Sequence, residues 1–254
     1  MRLARQLTGR EPHLKRLKHL PGDTRAMLKR PQAPERPYEI WYARGQERFL
    51  PHLIAHEVGH LVRLYAVPED ERLMPASTAA SRQRAGERIL VELSQKVDLE
   101  QISITALREA FEVWHQGVCT QLANFPADLR IEQWIHDQFP GLGRVQERSL
   151  DVEVHRAIPL LLPEVALATP PTVYRATMAM NAAQAVHFAD LYDRPGLLGP
   201  FQATGFHLIG SHLARQVFQA QDAGHRSDME AVNQWADDLG LNGWFEWRPY
   251  TGSR

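Results

Sequence analysis

One cysteine stands in the whole chain, Cys119, so no intramolecular disulfide framework holds the fold and a reducing compartment suits it. No run of about 18 apolar residues occurs, which leaves no candidate membrane span. The N-terminus also lacks the apolar core of a secretory signal, so the protein is expected to be cytoplasmic, with no membrane among its partners. Internal repeats, low-complexity stretches and a glycine-rich phosphate loop are absent, which removes solenoids and common nucleotide folds. Net charge is scarce too, at −1, but it is unevenly spread. Residues 1–36 hold 10 Lys and Arg against 3 acidic residues, leaving 19 against 27 for the rest. We read 1–36 as a basic N-terminal arm that can contact nucleic acid or an acidic partner weakly, a solvated surface helix being the plainer alternative. Residues 37–254 are long enough for one domain with a substantial core.

What is present is concentrated in His52-Leu-Ile-Ala-His56-Glu57-Val-Gly59-His60-Leu-Val-Arg-Leu-Tyr65. With 12 His and 18 Glu in the chain, an HExxH pattern arises by chance in roughly one such sequence in 25, so context has to decide its meaning. Here Leu50, Leu53, Ile54, Leu61, Val62 and Leu64 give the apolar spacing of a helix, with Pro51 near its start. Residues four apart stack on one helix face, so His56 and His60 can converge on one ion while Glu57 projects beside it. That pattern suits a zinc ion held by two imidazoles, with Glu57 as the general base. Gly59 costs about 1 kcal/mol in a helix relative to Ala, which predicts a close approach by substrate or a neighbouring element.

Upstream, residues 1–20 can form a basic amphipathic helix broken at Gly9 and Pro12, followed by a short helical piece near Met27 and an extended connector over Pro31–Pro37. Tyr38-Glu-Ile-Trp-Tyr42 has the composition of a strand whose edge can hold an extended peptide. Downstream, helices are expected over about 78–97, Thr105–Leu122, Thr172–Tyr192 and 201–220. The Leu160–Leu162 run reads as a buried connector. A capping box at Ser227-Asp-Met-Glu230 predicts the last helix, with Gly240 ending it and an aromatic tail, Trp244 to Tyr250, docking or forming a strand.

A second motif begins at Asn124, which can cap a new helix with Pro126 in its first turn. Asp128 and Glu132 lie four apart on one side of it, as a third metal ligand and its supporting carboxylate require. The alternative is a helix cap at Asp128 with Glu132 exposed.

These two motifs resemble the zincin metallopeptidases. The gluzincin branch follows HExxH with a helix carrying a ligand Glu and, four residues later, a supporting acid. Here the order is Asp128 then Glu132, so helix phase assigns Asp128 to the metal, as in aspartate-liganded zincins, whereas residue type assigns Glu132. The metzincin branch is excluded, because Arg63 and Ala66 stand where it needs Gly and a third His. A strand, Arg48-Phe49 and then the AHEVGHL helix also look similar to regulatory cytoplasmic peptidases that cleave repressors. The resemblance implies a mainly α (α+β) zincin-like helical domain with a small sheet beside the HExxH helix. It also implies zinc as cofactor and a zinc-dependent endopeptidase acting on a protein or peptide substrate, the alternatives being a catalytically silent zincin-like binding module and a metal hydrolase of a non-peptide substrate. An oxyanion-stabilising group is sought among His155, His207, His212, Tyr174 and Tyr192.

Overall fold

The computed structural model describes residues 1–21, 24–29, 31, 36–96 and 103–250, and its architecture is mainly α with two small sheets. The HExxH segment is helix α2 (Leu50–Tyr65), with Pro51 in its first turn. On one side α2 packs Val58 and Leu61 against Ile40, Tyr38 and Ala4. Its histidines, at 52, 56 and 60, fall on another face.

The first sheet runs β1 (His13–Leu17), β3 (Glu39–Ala43), β2 (Ala26–Lys29), with β1 parallel and β2 antiparallel to β3. A short helix α1 (Arg2–Thr8) precedes it and buries Ala4. The basic segment therefore supplies two of the three strands that sit beside α2. The helix expected through residue 20 stops at Gly9, which takes a left-handed φ of 75°, and the piece near Met27 is a strand. In both places β-pairing with the Ile40 strand outweighs local helical spacing. Of the Pro31–Pro37 connector, 32–35 lie outside the described residues. The strand expected at Tyr38–Tyr42 is β3, but it is central, so its edges are filled; the outer edges belong to β1 and β2, and β2 is the one beside the cleft.

Helix α4 (Ile104–Gln138) is one continuous element of 35 residues, not two. Pro126 removes a single hydrogen bond within it, to the Leu122 carbonyl. Asn124 does not cap a helix but donates to the Thr120 carbonyl at 2.7 Å. Apolar burial on both sides of the proline, Val118 and Leu122 before it and Leu129 and Ile131 after it, keeps the helix going. Its C-terminal half lies against α2, and Gly59 is where they meet. A Cβ built on Gly59 comes within 2.6 Å of Ile131 Cγ2, so a neighbouring element rather than substrate explains this glycine. Gly59→Ala is expected to cost about 1–3 kcal/mol by overpacking, despite its better helix propensity, measured by urea unfolding. A neutral or stabilising effect would show that the two helices do not meet there.

The core centres on α7 (Pro171–Leu191), a helix buried on most of its circumference. Its alanines, among them Ala176, Ala179, Ala182 and Ala183, allow close neighbours. Gly210 of α9 (Phe206–Gln219) approaches so closely that a Cβ would stand 2.6 Å from the Ala182 carbonyl carbon. Helix α10 (His225–Leu239) completes this core with the fully buried Trp235. It begins two residues before the expected capping box, because Ser227 Oγ accepts from the Ala223 N–H instead of capping downstream. Gly240 ends it with φ 73°. The aromatic tail forms β5 (Glu246–Pro249), antiparallel to β4 (Leu73–Ala76) in a separate two-stranded sheet.

The remaining helices are α3 (Ala79–Ser94), α5 (Gly143–Ala157), α6 (Pro163–Ala168) and α8 (Gly199–Ala203). Between α5 and α6, Leu160 and Leu162 are exposed, so the connector is not buried. No helix among the described residues is long and apolar enough to cross a membrane.

His187 on α7 is buried with Nε2 unpartnered and Phe218 stacked at 4.8 Å. Burial holds its pKa at about 4. The unfolded chain therefore takes up this proton first as pH falls from roughly 6.5, and folding stability drops until about pH 4. The stability of wild type relative to His187→Leu is expected to fall through that window, with a slope approaching about 1.4 kcal/mol per pH unit in denaturant titrations of metal-free protein. A pH-independent difference would place His187 in contact with water.

Candidate metal centre

Helices α2 and α4 bring two facing rows of side chains together, His52, His56 and His60 against Asp128 and Glu132. His60 Nε2 lies 3.2 Å from His56 Nε2 and 3.2 Å from Asp128 Oδ1, and His56 Nε2 lies 3.4 Å from the same oxygen. The three atoms form a nearly equilateral triangle. Ligands about 2.0–2.1 Å from a tetrahedral zinc ion stand roughly 3.4 Å apart, which is the spacing found. Asp128 Oδ1 is buried and accepts no hydrogen bond of proper geometry. A buried carboxylate oxygen without a donor is costly unless a cation meets it. The residues thus fit a metal ion by spacing, donor type and an unmet oxygen.

Glu132 does not join the triangle. It lies on the far side of His56, whose Nδ1 donates to Glu132 Oε1 at 2.7 Å. That bond fixes the tautomer that leaves the His56 Nε2 lone pair facing His60 and Asp128. His52 Nε2 donates to Glu132 Oε2 at 2.9 Å, and Gln146 Nε2 donates to it at 2.7 Å. Ser149 Oγ and His52 Nδ1 share a bond of 2.8 Å. Three side chains, His52 and His56 from α2 and Gln146 from α5, therefore bond the one buried carboxylate that α4 supplies. Burial opposes its charge, but His52 and His56 outweigh burial and hold Glu132 far below the usual carboxylate range. Asp128 is lowered in the same way by His56 and His60. Burial works against protonation of His56, yet Asp128 and Glu132 together keep its imidazolium well above the usual histidine range.

The sequence expectation named both acids and left their order open. The geometry sets Asp128 toward the imidazole Nε2 atoms and Glu132 behind His56. His52, Gln146 and Ser149 were given no role, although His52 carries the same four-residue spacing before His56 that His60 has after it. The other two needed the docking of α5, which local pattern does not reveal. Truncating His52 leaves Glu132 a donor short, so His52→Leu is expected to weaken zinc binding about 10- to 100-fold in competition with a chelating dye. Unchanged affinity would show that Glu132 orients His56 without help.

Glu57 faces the same space. Burial raises its carboxyl pKa, Asp128 adds to the rise, and the charges of His56 and His60 and the Leu28 backbone N–H oppose it. Ladder alternation explains the last contact. The Ala43 N–H donates to the Arg25 carbonyl at 2.9 Å, so positions 25, 27 and 29 turn their backbone groups to β3. Ala26 and Leu28 then turn theirs outward, toward α2. A cleft of 1230 Å³ opens here, lined by the histidine and acidic rows, by β2, and by parts of α5, α7, α10 and β4. None of His155, His207, His212, Tyr174 and Tyr192 lines it; its titratable groups away from the metal-ligand rows include His225 and Tyr250. His212 bonds Asp238, and His155 bonds the Asp151 carbonyl on its own helix.

Comparison with family models, with curated proteins and with solved structures gave no match.

Proposed function

We propose that this chain is a zinc-dependent endopeptidase of the zincin type, a reading carried by the triangle of His56 Nε2, His60 Nε2 and Asp128 Oδ1. In this reading those atoms hold the ion and Glu132 orients His56 from behind. Two imidazoles and one carboxylate suit zinc better than calcium or magnesium, which prefer all-oxygen sets. Zinc there supplies a Lewis acid and a water of pKa roughly 7. Glu57, its carboxyl raised by burial, takes a proton from water in the cleft and returns it to the leaving amine. The outward backbone groups of Ala26 and the Leu28 carbonyl offer an extended peptide a strand to pair with, while the Leu28 N–H is held by Glu57. The open cleft leaves room for chain on both sides of the scissile bond.

Metal content of untagged protein purified without chelator tests this first, by elemental mass spectrometry. Close to one zinc per chain is expected, followed by chelator-sensitive cleavage of a mixed peptide library. Iron in place of zinc, or no metal even after reconstitution, overturns the proposal. Zinc with peptide binding but no cleavage would make the chain a binding module.

A further inference from the structure

Charge in the cleft is segregated. Arg25, Arg63, Glu153, Arg156 and Asp228 line it on the α2, α5, α10 and β2 sides. The long wall made by the first half of α4 and the middle of α7 has no charged group until Asp128. It carries the amides and hydroxyl of Gln116, Thr120, Gln121 and Asn124 from α4 and of Asn181 and Gln184 from α7, with the apolar Val113, Phe125 and Phe188 between and beyond them. Gln116 to Asp128 spans about 18 Å at 1.5 Å per residue, the length of five or six extended residues. In a chain with 23% charged residues, an uncharged polar stripe of that length on a concave surface is a chemical statement about what lies on it.

The hydrogen-bonding capacity of this wall is largely unused. Asn124 and Asn181 each donate to the carbonyl four residues earlier, at 2.7 and 2.9 Å, which pins their amides and leaves their oxygens outward-bonding. Gln121 Oε1 is shielded and meets no donor. No side-chain hydrogen bond is made by Gln116, Thr120 or Gln184 among the described residues. A polar group shut away from water without a partner is costly, so a ligand that covers this wall must return hydrogen bonds to it. An apolar side chain cannot do so. A charged one finds no counter-charge here to offset its desolvation. An amide or hydroxyl side chain both donates and accepts, and meets both needs.

Resting on the peptidase reading, we propose that the wall of α4 and α7 is a specificity subsite for neutral polar side chains, Gln and Asn foremost, in the substrate segment beside the scissile bond. Gln121 and Gln184 are its specificity-determining residues. Selectivity arises from the cost of leaving these amides unpaired under the wrong side chain, which is how buried polar groups discriminate strongly.

Short peptide hydroxamates, which anchor on a bound zinc ion whether or not the protein turns over, test this separately from catalysis. Two series place the varied side chain, Gln, Leu, Glu or Lys, before or after the hydroxamate, and calorimetry on zinc-loaded protein reads affinity. Gln is expected to bind about tenfold more tightly than the other three in one series. The double variant Gln121→Leu/Gln184→Leu is expected to abolish that preference while still holding one zinc per chain. Equal affinity across side chains in both series overturns the subsite, as does a preference that survives in the double variant, and either result leaves the metal centre standing. Zinc-loaded protein that binds no hydroxamate of either series overturns the peptidase reading, and the subsite falls with it.

Discussion

Glu57→Gln is expected to take up zinc as the wild type does and to hydrolyse peptides about 10³-fold more slowly, within the usual range for loss of a general base. The substitution conserves shape and leaves His56, His60 and Asp128 untouched, so the ligand triangle remains. What it removes is a carboxylate beside that triangle able to accept a proton. The Glu57 carboxyl is raised by burial, so the neutral amide loses no solvation that the fold depended on, and unfolding stability is expected to hold or rise. Zinc stoichiometry, single-turnover hydrolysis and a urea titration on the same preparation separate the effects. Full activity in a zinc-loaded variant removes Glu57 from the chemistry. Loss of zinc makes it a structural part of the site.

Asp228→Ala is expected to destabilise the fold by about 3 kcal/mol, through the buried charge that it strands. Arg63 sits on α2 one turn beyond His60. Its Nε donates to Asp228 Oδ2 at 2.7 Å and its Nη2 to Asp228 Oδ1 at 2.6 Å, a two-pronged pair in which both side chains are almost wholly buried. Asp222 also receives Arg63, at 2.8 Å, and Arg130 from α4 at 3.0 Å, but it is half exposed and contributes less. Removing Asp228 leaves Arg63 desolvated with only that screened carboxylate and the Gly224 carbonyl, at 3.2 Å. Replacing both ends, Arg63→Met with Asp228→Leu, is expected to recover much of the loss, because the cost lies in the unpaired charge more than in the missing bond. Urea midpoints for the two single variants and the double give the coupling directly. A loss under 1 kcal/mol for Asp228→Ala would show that water reaches the pair.

How far the sequence reaches is visible at particular residues. The helix of His56 and His60 was legible because apolar spacing, a tolerated Pro51 and the imidazole repeat agree. The helix of Asp128 and Glu132 was legible as a face but not as part of a 35-residue element. Pro126 looks like a beginning to any local reading, and only packing on both sides shows that it is not. Strands β1 and β2 were missed because four or five residues with mixed side chains gain their conformation from the β3 ladder, which is a tertiary fact. That ladder also put β3 in the middle and left the edges to β1 and β2. The amide wall of the cleft was hidden for a related reason: Gln121 and Gln184 are ordinary helix surface until α4 and α7 are set side by side.

The carboxylate of Glu132 is a junction where chain segments far apart in sequence must all have arrived. His56 reaches it across 76 residues, and His52 reaches Ser149 across 97. A denatured or half-collapsed chain cannot assemble such a set, so an ion bound there discriminates sharply between native and non-native states. Zinc at 100 times its dissociation constant then adds about 2.7 kcal/mol to the native state and nothing to its competitors. On the proposed reading the metal would act as a thermodynamic checkpoint on folding, bound at full strength only when α2 and α4 meet and α5 braces the Glu132 carboxylate behind His56.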